Sequence, residues 1–457
     1  MIVYASKPCR KNHHFEALNM KGKTPNRSQF HLYRQQLENL INPKHPLCKL
    51  AKHIPWHELE DHFTDLYHHT GRPAKPIRLM VSLLILKQLY DLSDETIVER
   101  WVENPYFQFF SGESIFQWNF PCHPTDLVYF RKRIGEEGVE KIFKVSIELH
   151  GKRAQEKEVL VDTTVQEKNI TFPTDTKLYK RIIEHCVSIA EKEAIELRQS
   201  YRRTTKKLML AQRFRNHPKN RKKAVAAQRK LKTIAGRLVR ELERKIPASS
   251  LGRYAQQMKI FQQILEQKRN STNKIYSIHE PQVYCISKGK DHKKYEFGSK
   301  ASIVVTKKSG IIVGAVHFST NIYDGHTLPA TLTQTTELVG RRPTVAICDR
   351  GYRGKRTIDG TTIEIPKNLG KKATTYQKQK AIKRFRRRAG IEPIIGHLKS
   401  DYRLMRNYLK GSLGDSINLM LAAAAFNFRK LIRQLQMFLR FLLYFLFKEH
   451  EGLIAQL

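Results

Sequence analysis

The sequence predicts an α/β protein in which a central sheet is flanked by helices. Three observations carry this expectation. Five β-branched or apolar runs, at 157–166, 283–288, 300–307, 310–319 and 343–349, have the length and composition of buried strands. Helical patterns precede, separate and follow them. The 457 residues, 40% of them hydrophobic, suffice for two or three domains with their own cores. The charge is lopsided, with 83 Lys and Arg against 42 Asp and Glu, or +41. A surplus of that size calls for a polyanionic partner, and nucleic acid is the usual one.

The first forty residues are polar with little periodicity and are expected to form an arm. They contain no apolar signal core, which points to the cytoplasm. Residues 53–144 are helical in pattern. PIRLMVSLLILKQLYDL (76–92) is apolar nearly all round and predicts a buried helix. Ser93 is placed to cap the next helix, and Pro124 and Thr125 to start a third. The basic stretch 127–134 on that third helix fits DNA contact or a solvated charged face equally well.

KEVLVDTTVQ (157–166) reads as a buried strand with Asp162 at its end. Between Thr176 and Ile275 the strand signals vanish. That stretch holds 27 Lys and Arg against 7 Asp and Glu, nearly half the net charge of the chain. The Asn216-His217-Pro218 turn should fold it into a hairpin of two long helices that meets phosphates, with affinity falling steeply in salt. Strands resume at 283, with a hairpin turn at Ser309-Gly310. A helix from about Thr327 to Val339 leads to PTVAICD (343–349), a strand ending in Asp349. The rest is helical: 376–406, 415–435 and the apolar MFLRFLLYFLF (437–447). That last run is about half of a membrane span and is broken by Arg440, so it predicts a packing helix. Six scattered cysteines with no CxxC pair predict reduced, buried thiols.

Carboxylates at the ends of two hydrophobic strands need a counter-charge. Hard divalent cations supply one and accept a few oxygen ligands. A third carboxylate is available in Glu392, with Arg388 one helical turn before it and Lys399 about two turns after. Position alone leaves Glu392 open between a salt-bridge ladder and a metal ligand. Glu280, Asp324 and Asp401 compete for the third or a supporting place. An N-cap or turn role suits Asp324 better, and structural roles suit His326 and His397.

The segments VLVDTTVQEKNITFPTD (159–175), AICDRGYRG (346–354) and the spacing of Arg388, Glu392 and Lys399 resemble the bacterial insertion-sequence transposases with an Asp-Asp-Glu site, more narrowly the insertion-sequence-five group. Related proteins carry Tyr three residues before that Arg, where this chain has Phe385. The resemblance spans roughly residues 50–430. It implies a ribonuclease-H-like catalytic core (151–175 plus 276–430) and a helical N-terminal domain that binds DNA (1–150), to which the composition adds a basic helical insertion (176–275) and an apolar C-terminal helix (431–457). It implies that Asp162, Asp349 and Glu392 converge to hold two Mg²⁺ ions, with Mn²⁺ as a substitute. Arg388 and Lys399 would contact phosphates, joined by Arg350 and Arg353. The implied reaction frees 3′-hydroxyls at element ends and joins them to target DNA. The implied partners are double-stranded DNA and a second or further copy of the chain, with no membrane, in the cytoplasm at the nucleoid. The rivals are a metal-dependent nuclease that does not join strands and a DNA-binding protein with an inactive site. No Gly-rich phosphate loop is present, so no ATP requirement is expected.

Overall fold

A computed structural model describes residues 36–67, 73–268, 270–287, 293–366 and 373–454. Residues 1–35 of the expected N-terminal arm, with Cys9, lie outside these residues, and its last residues are not an arm, since Leu37–Leu40 form a helix with Leu37 buried. The described residues begin with seven helices: α1 (Leu37–Leu40), α2 (Pro46–His53), α3 (Trp56–Thr64), α4 (Ile77–Leu89), α5 (Asp94–Glu103), α6 (Pro105–Phe110) and α7 (Pro124–Glu148). Helix α4 is apolar on every side and is buried along nearly its whole length. Ser93 caps α5 by accepting the Thr96 N–H at 3.0 Å. His123 and Asp126 form a reciprocal cap at the start of α7.

The basic stretch on α7 divides between its two readings. Arg131 is buried and holds Asp94 with both guanidinium nitrogens, at 2.9 and 2.5 Å, while Lys87 reaches the same carboxylate at 2.7 Å. Lys132 and Arg133 face solvent. Burial works against the Asp94 charge, but Arg131 and Lys87 outweigh it and hold the carboxyl at about 2. A depressed carboxyl stabilises the fold above its ordinary range and loses that contribution as the pH falls toward 2. An Asp94→Asn variant should therefore melt well below wild type at neutral pH, and the gap should close between about pH 4 and pH 2 in thermal melts.

Strand β1 (Glu158–Lys168) follows, and then the insertion: α8 (Asp175–Lys192), α9 (Arg202–Leu210), α10 (Pro218–Lys245) and α11 (Ala248–Glu266). Four helices stand where two long ones were expected, because α9 is short and the connections to α8 and α11 break the pattern. The chain continues through β2 (Tyr284–Ser287), β3 (Tyr295–Thr306), β4 (Ile312–Phe318), α12 (Asp324–Val339), β5 (Val345–Ile347), β6 (Thr357–Ile358) and β7 (Thr361–Glu364). It ends with α13 (Thr375–Arg388), α14 (Ile391–Asp401), β8 (Arg406–Asn407) and α15 (Gly411–Ile454). The expected helix 376–406 is split in two and followed by a strand, whereas 415–435 and the apolar tail form one helix. The side chains of 437–447 lie outside the described residues. Among the described residues, no helix is long and apolar enough to cross a membrane.

The eight strands form one mixed sheet in the order β2-β3-β1-β5-β7-β6, with β4 also on β3 and β8 also on β1. β1 runs antiparallel to β3 and parallel to β5. Gly298 of β3 is required by the close approach of β1, since a Cβ there would lie 2.0 Å from the Gln166 carbonyl oxygen. Gly310 takes φ +64 in the β3–β4 turn. Strands β6 to β8, two to four residues each, are too short to leave an alternating pattern.

Two hydrophobic clusters result. One joins the N-terminal helices, the sheet, α12, α14 and α15. The other lies within α8, α10 and α11 and closes on Ile275. Cys48, Cys122, Cys186 and Cys348 are buried free thiols, and Cys285 is half-buried.

Candidate active site

The parallel pair β1–β5 sets the geometry. Its last register pair is Leu160 with Ile347. Asp162 and Asp349 each lie two residues further on, so the pleat returns both to the same face, side by side where β5 stops. Asp162 is thus not at a strand end, as its sequence context suggested. β1 runs on to Lys168 against β3, and the end that matters is that of β5. The Thr163 N–H donates to Asp162 Oδ1 at 2.8 Å, and the Gly351 N–H to Asp349 Oδ1 at 2.8 Å. Both carboxylates are therefore oriented by backbone.

Glu392 enters from the first turn of α14 and is the most open of the three acids, its side chain 64% exposed. Arg388, the last residue of α13, gathers the set. Its guanidinium lies 3.0 Å from Asp162 Oδ2, 3.6 Å from Asp349 Oδ2 and 3.6 Å from Glu392 Oε1. Its Nε is buried with no hydrogen-bond partner among the described residues. Phe385 packs against the main core. That is an apolar task for a position where related proteins have Tyr.

A fourth acid adjoins the three. Asp324 does not cap α12, for Tyr323 holds that place. Its carboxylate instead accepts from Thr163 Oγ1 at 2.9 Å and pairs with the largely buried Lys300 at 2.9 Å. Sequence reasoning passed over Thr163 and Lys300, although Thr163 directly follows Asp162. Glu280 is buried elsewhere, against Lys168, and Asp401 accepts from His397 and Ser400.

Beneath the acids, burial raises both the Cys348 thiol and the Tyr352 hydroxyl above their ordinary ranges. Asp349 and Asp162 push the thiol the same way, and Cys348, Asp162, Asp324 and Asp349 push the hydroxyl. Both groups stay protonated. The Tyr352 hydroxyl is buried without a hydrogen-bond partner among the described residues.

Arg350 and Arg353 are exposed on the loop after Asp349, next to Lys355 and Arg356. Lys399, further along α14, lines a cavity of about 510 Å³ with Lys293, Arg403, Arg406 and Tyr408.

The donor set is oxygen only, and its negative charge exceeds the one guanidinium it faces. Gly351 leaves space between Asp349 and Asp324 that a side chain would fill. These features suit a hard divalent cation. Among the described residues, however, no group of three or more His, Cys, Asp or Glu is arranged to hold a metal ion. The expected convergence of carboxylates on one another is instead a convergence on Arg388, which supplies the counter-charge.

A Cβ on Gly351 would lie 2.9 Å from Asp349 Oδ1 and 3.1 Å from Asp324 Oδ2. Gly351→Ala should therefore push these carboxylates apart by a few tenths of an ångström and slow the phosphodiester cleavage that the sequence leads one to expect on the order of tenfold, less than the roughly 10²-fold that a 1 Å misplacement costs. Its melting temperature should stay within a few degrees of wild type. Unchanged cleavage rates would show that the acids tolerate displacement.

Residues 35–133 match a family model described as a transposase domain, and residues 274–428 one described as a transposase DDE domain. A Rhizobium meliloti protein, described as uncharacterized protein ORF8 in nfe locus, is 43% identical over 203 residues, which span 43% of this chain and 98% of that protein. The chain belongs to the DDE transposases of insertion sequences. No solved structure matches it. The matched DDE segment begins after the insertion and so omits β1 and Asp162. The place of Asp162 in this transposase rests on the register of β1 with β5 and on Arg388.

Proposed function

We propose that this transposase cleaves the phosphodiester bonds at element ends and joins the freed 3′-hydroxyls to target DNA, at a centre built from Asp162, Asp349 and Glu392. The observation that carries the reading is the gathering of these acids, from β1, the end of β5 and α14, around one guanidinium. A sheet with β1 between antiparallel β3 and parallel β5, backed by α12 and α15, supports a ribonuclease-H-like core from 151–175 plus 276–430. Residues 1–150 would then be a DNA-binding helical domain, 176–275 a basic insertion and 431–457 an apolar C-terminal helix.

Asp162, Asp349 and Glu392 would hold two Mg²⁺ ions, or Mn²⁺ in their place. The ions would supply Lewis-acid activation and neutralise charge building on the phosphate. The chain's own groups do the rest. The backbone donors of Thr163 and Gly351 fix the directions in which Asp162 and Asp349 present their free oxygens. Lys300 and Asp324 brace Thr163 from the far side. Arg388 offsets the charge of the three acids in the free protein, and its guanidinium is then available for a DNA phosphate, a planar fork matched to that geometry. Lys399, Arg350 and Arg353 add cations around the same phosphates. Tyr352 and Cys348 keep the floor of the site neutral and dry. Two ends must be joined to one target, so the chain would act as a dimer or larger assembly on DNA, in the cytoplasm at the nucleoid.

The test is a gel assay with pre-cleaved labelled ends, a target plasmid and Mg²⁺. Joined product, lost on chelation and restored by Mg²⁺, is the expected result. Hydrolysis without joined product would leave a nuclease, and neither product a DNA-binding protein.

A further inference from the structure

The insertion holds more cations than its packing needs. Helix α10 buries Ala224 and Ala227 near its start, and then Leu231, Ile234, Leu238 and Leu242 at helical spacing against its neighbours in the second cluster. The opposite face therefore has no structural task. From Tyr201 to Arg240 the chain has fifteen Lys and Arg and no Asp or Glu. All fifteen side chains are exposed. Among the described residues, only Arg202 of the fifteen is ion-paired, to Glu191. Helices that serve solubility mix their signs. At 1.5 Å per residue α10 is about 42 Å long, enough to follow a full turn of duplex DNA.

The tip between α9 and α10 adds a second feature. Phe214 is 78% exposed, between the exposed Arg213 and Arg215. Its backbone takes φ +56, a region that bulky residues rarely adopt. The neighbouring Leu210 is 54% exposed. An apolar ring held out into water at the end of a cationic face, with an arginine on either side, has the arrangement of a wedge that enters between base pairs while the cations hold the backbone.

We propose that the insertion grips duplex DNA, with α10 along the phosphates and Phe214 inserted between base pairs to bend the duplex. The inference rests on the reading of the chain as a transposase only for the identity of the polyanion. Its test does not use catalysis.

The full-length protein is titrated with a fluorescent duplex at several salt concentrations, once with an element end and once with unrelated sequence. The triple variant Arg221→Gln/Lys222→Gln/Lys223→Gln should reduce the slope of log affinity against log salt by about 2.7, and weaken binding at least about tenfold at physiological salt. Phe214→Ala should keep the salt slope and abolish the change in energy transfer between dyes at the two duplex ends. An effect confined to the element-end duplex assigns the grip to the ends, and an effect on both assigns it to target DNA as well. An unchanged salt slope in the triple variant, or unchanged bending in Phe214→Ala, overturns the proposal. So does loss of binding to vesicles containing phosphatidylglycerol in Phe214→Ala with bending retained. The Asp162→Asn protein should keep both the slope and the bend, which separates failure of the grip from failure of the catalytic reading.

Discussion

Replacing Asp162 with Asn is expected to lower strand cleavage by at least about 10³-fold while DNA affinity and melting temperature stay near wild type. The magnitude follows from the several kcal/mol of transition-state stabilisation that the proposed metal ions would supply, each 1.36 kcal/mol being tenfold in rate. The folding side follows from Arg388. With Asp162 neutral, the guanidinium still faces Asp349 and Glu392, so no buried charge is stranded. The amide oxygen can still accept the Thr163 N–H. Asp349→Asn should behave alike, because its site on the pleat is equivalent. Arg388→Ala should differ in kind, since it leaves three carboxylates repelling one another. Gel-resolved cleavage of a labelled end, fluorescence anisotropy and thermal melts measure the three quantities. Cleavage by Asp162→Asn within tenfold of wild type would remove Asp162 from the centre.

The two aspartates were legible in the sequence because a carboxylate beside a β-branched run is conspicuous. The reason they meet was not. It lies in the pairing of β1 with β5, strands separated by the insertion, three further strands and a helix, and in where a three-residue strand stops. Glu392 was picked out by its spacing to Arg388, and the two ion-pair at 3.6 Å across the break between α13 and α14 rather than along one helix. What spacing could not carry is the reach of Arg388 to Asp162, 226 residues away. Position alone left Glu392 between an ion-pair ladder and a metal ligand. In the free protein it is ion-paired, and the same ion pair brings it to the other two acids. Asp324 was misread because a carboxylate at a helix start is usually a cap. Its partners, Thr163 and Lys300, come from other strands. Arg131 shows the same limit from the other side. In sequence it belongs to a basic run, and burial alone distinguishes it from Lys132 and Arg133.

The largest effect on stability should come from Lys168, at the far end of β1 from Asp162. Its side chain is 2% exposed and its ammonium lies 3.0 Å from Asp415 and 3.5 Å from Glu280. It also donates to the carbonyls of Leu409 and Gly411 at 2.8 and 3.0 Å. Asp415 accepts from Gln166 and Asn407, Asn418 donates to Gln166, and Gln88 of α4 donates to Asn418. One buried polar network thus ties β1 to β8, α15 and the N-terminal helices. Lys168→Met matches the apolar stem but strands two buried carboxylates, so it should cost about 3–5 kcal/mol in denaturant titrations. Adding Asp415→Asn to that variant should recover part of the loss, because one of the stranded charges is gone. A single variant within about 1 kcal/mol of wild type would show that solvent reaches Asp415 and Glu280. Below that cost the effect should also reach the site. β1 carries both Lys168 and Asp162, and a strand released at one end no longer fixes the register that sets Asp162 beside Asp349. Cleavage by Lys168→Met at a temperature where it remains folded should therefore fall, with the salt slope of DNA binding unchanged.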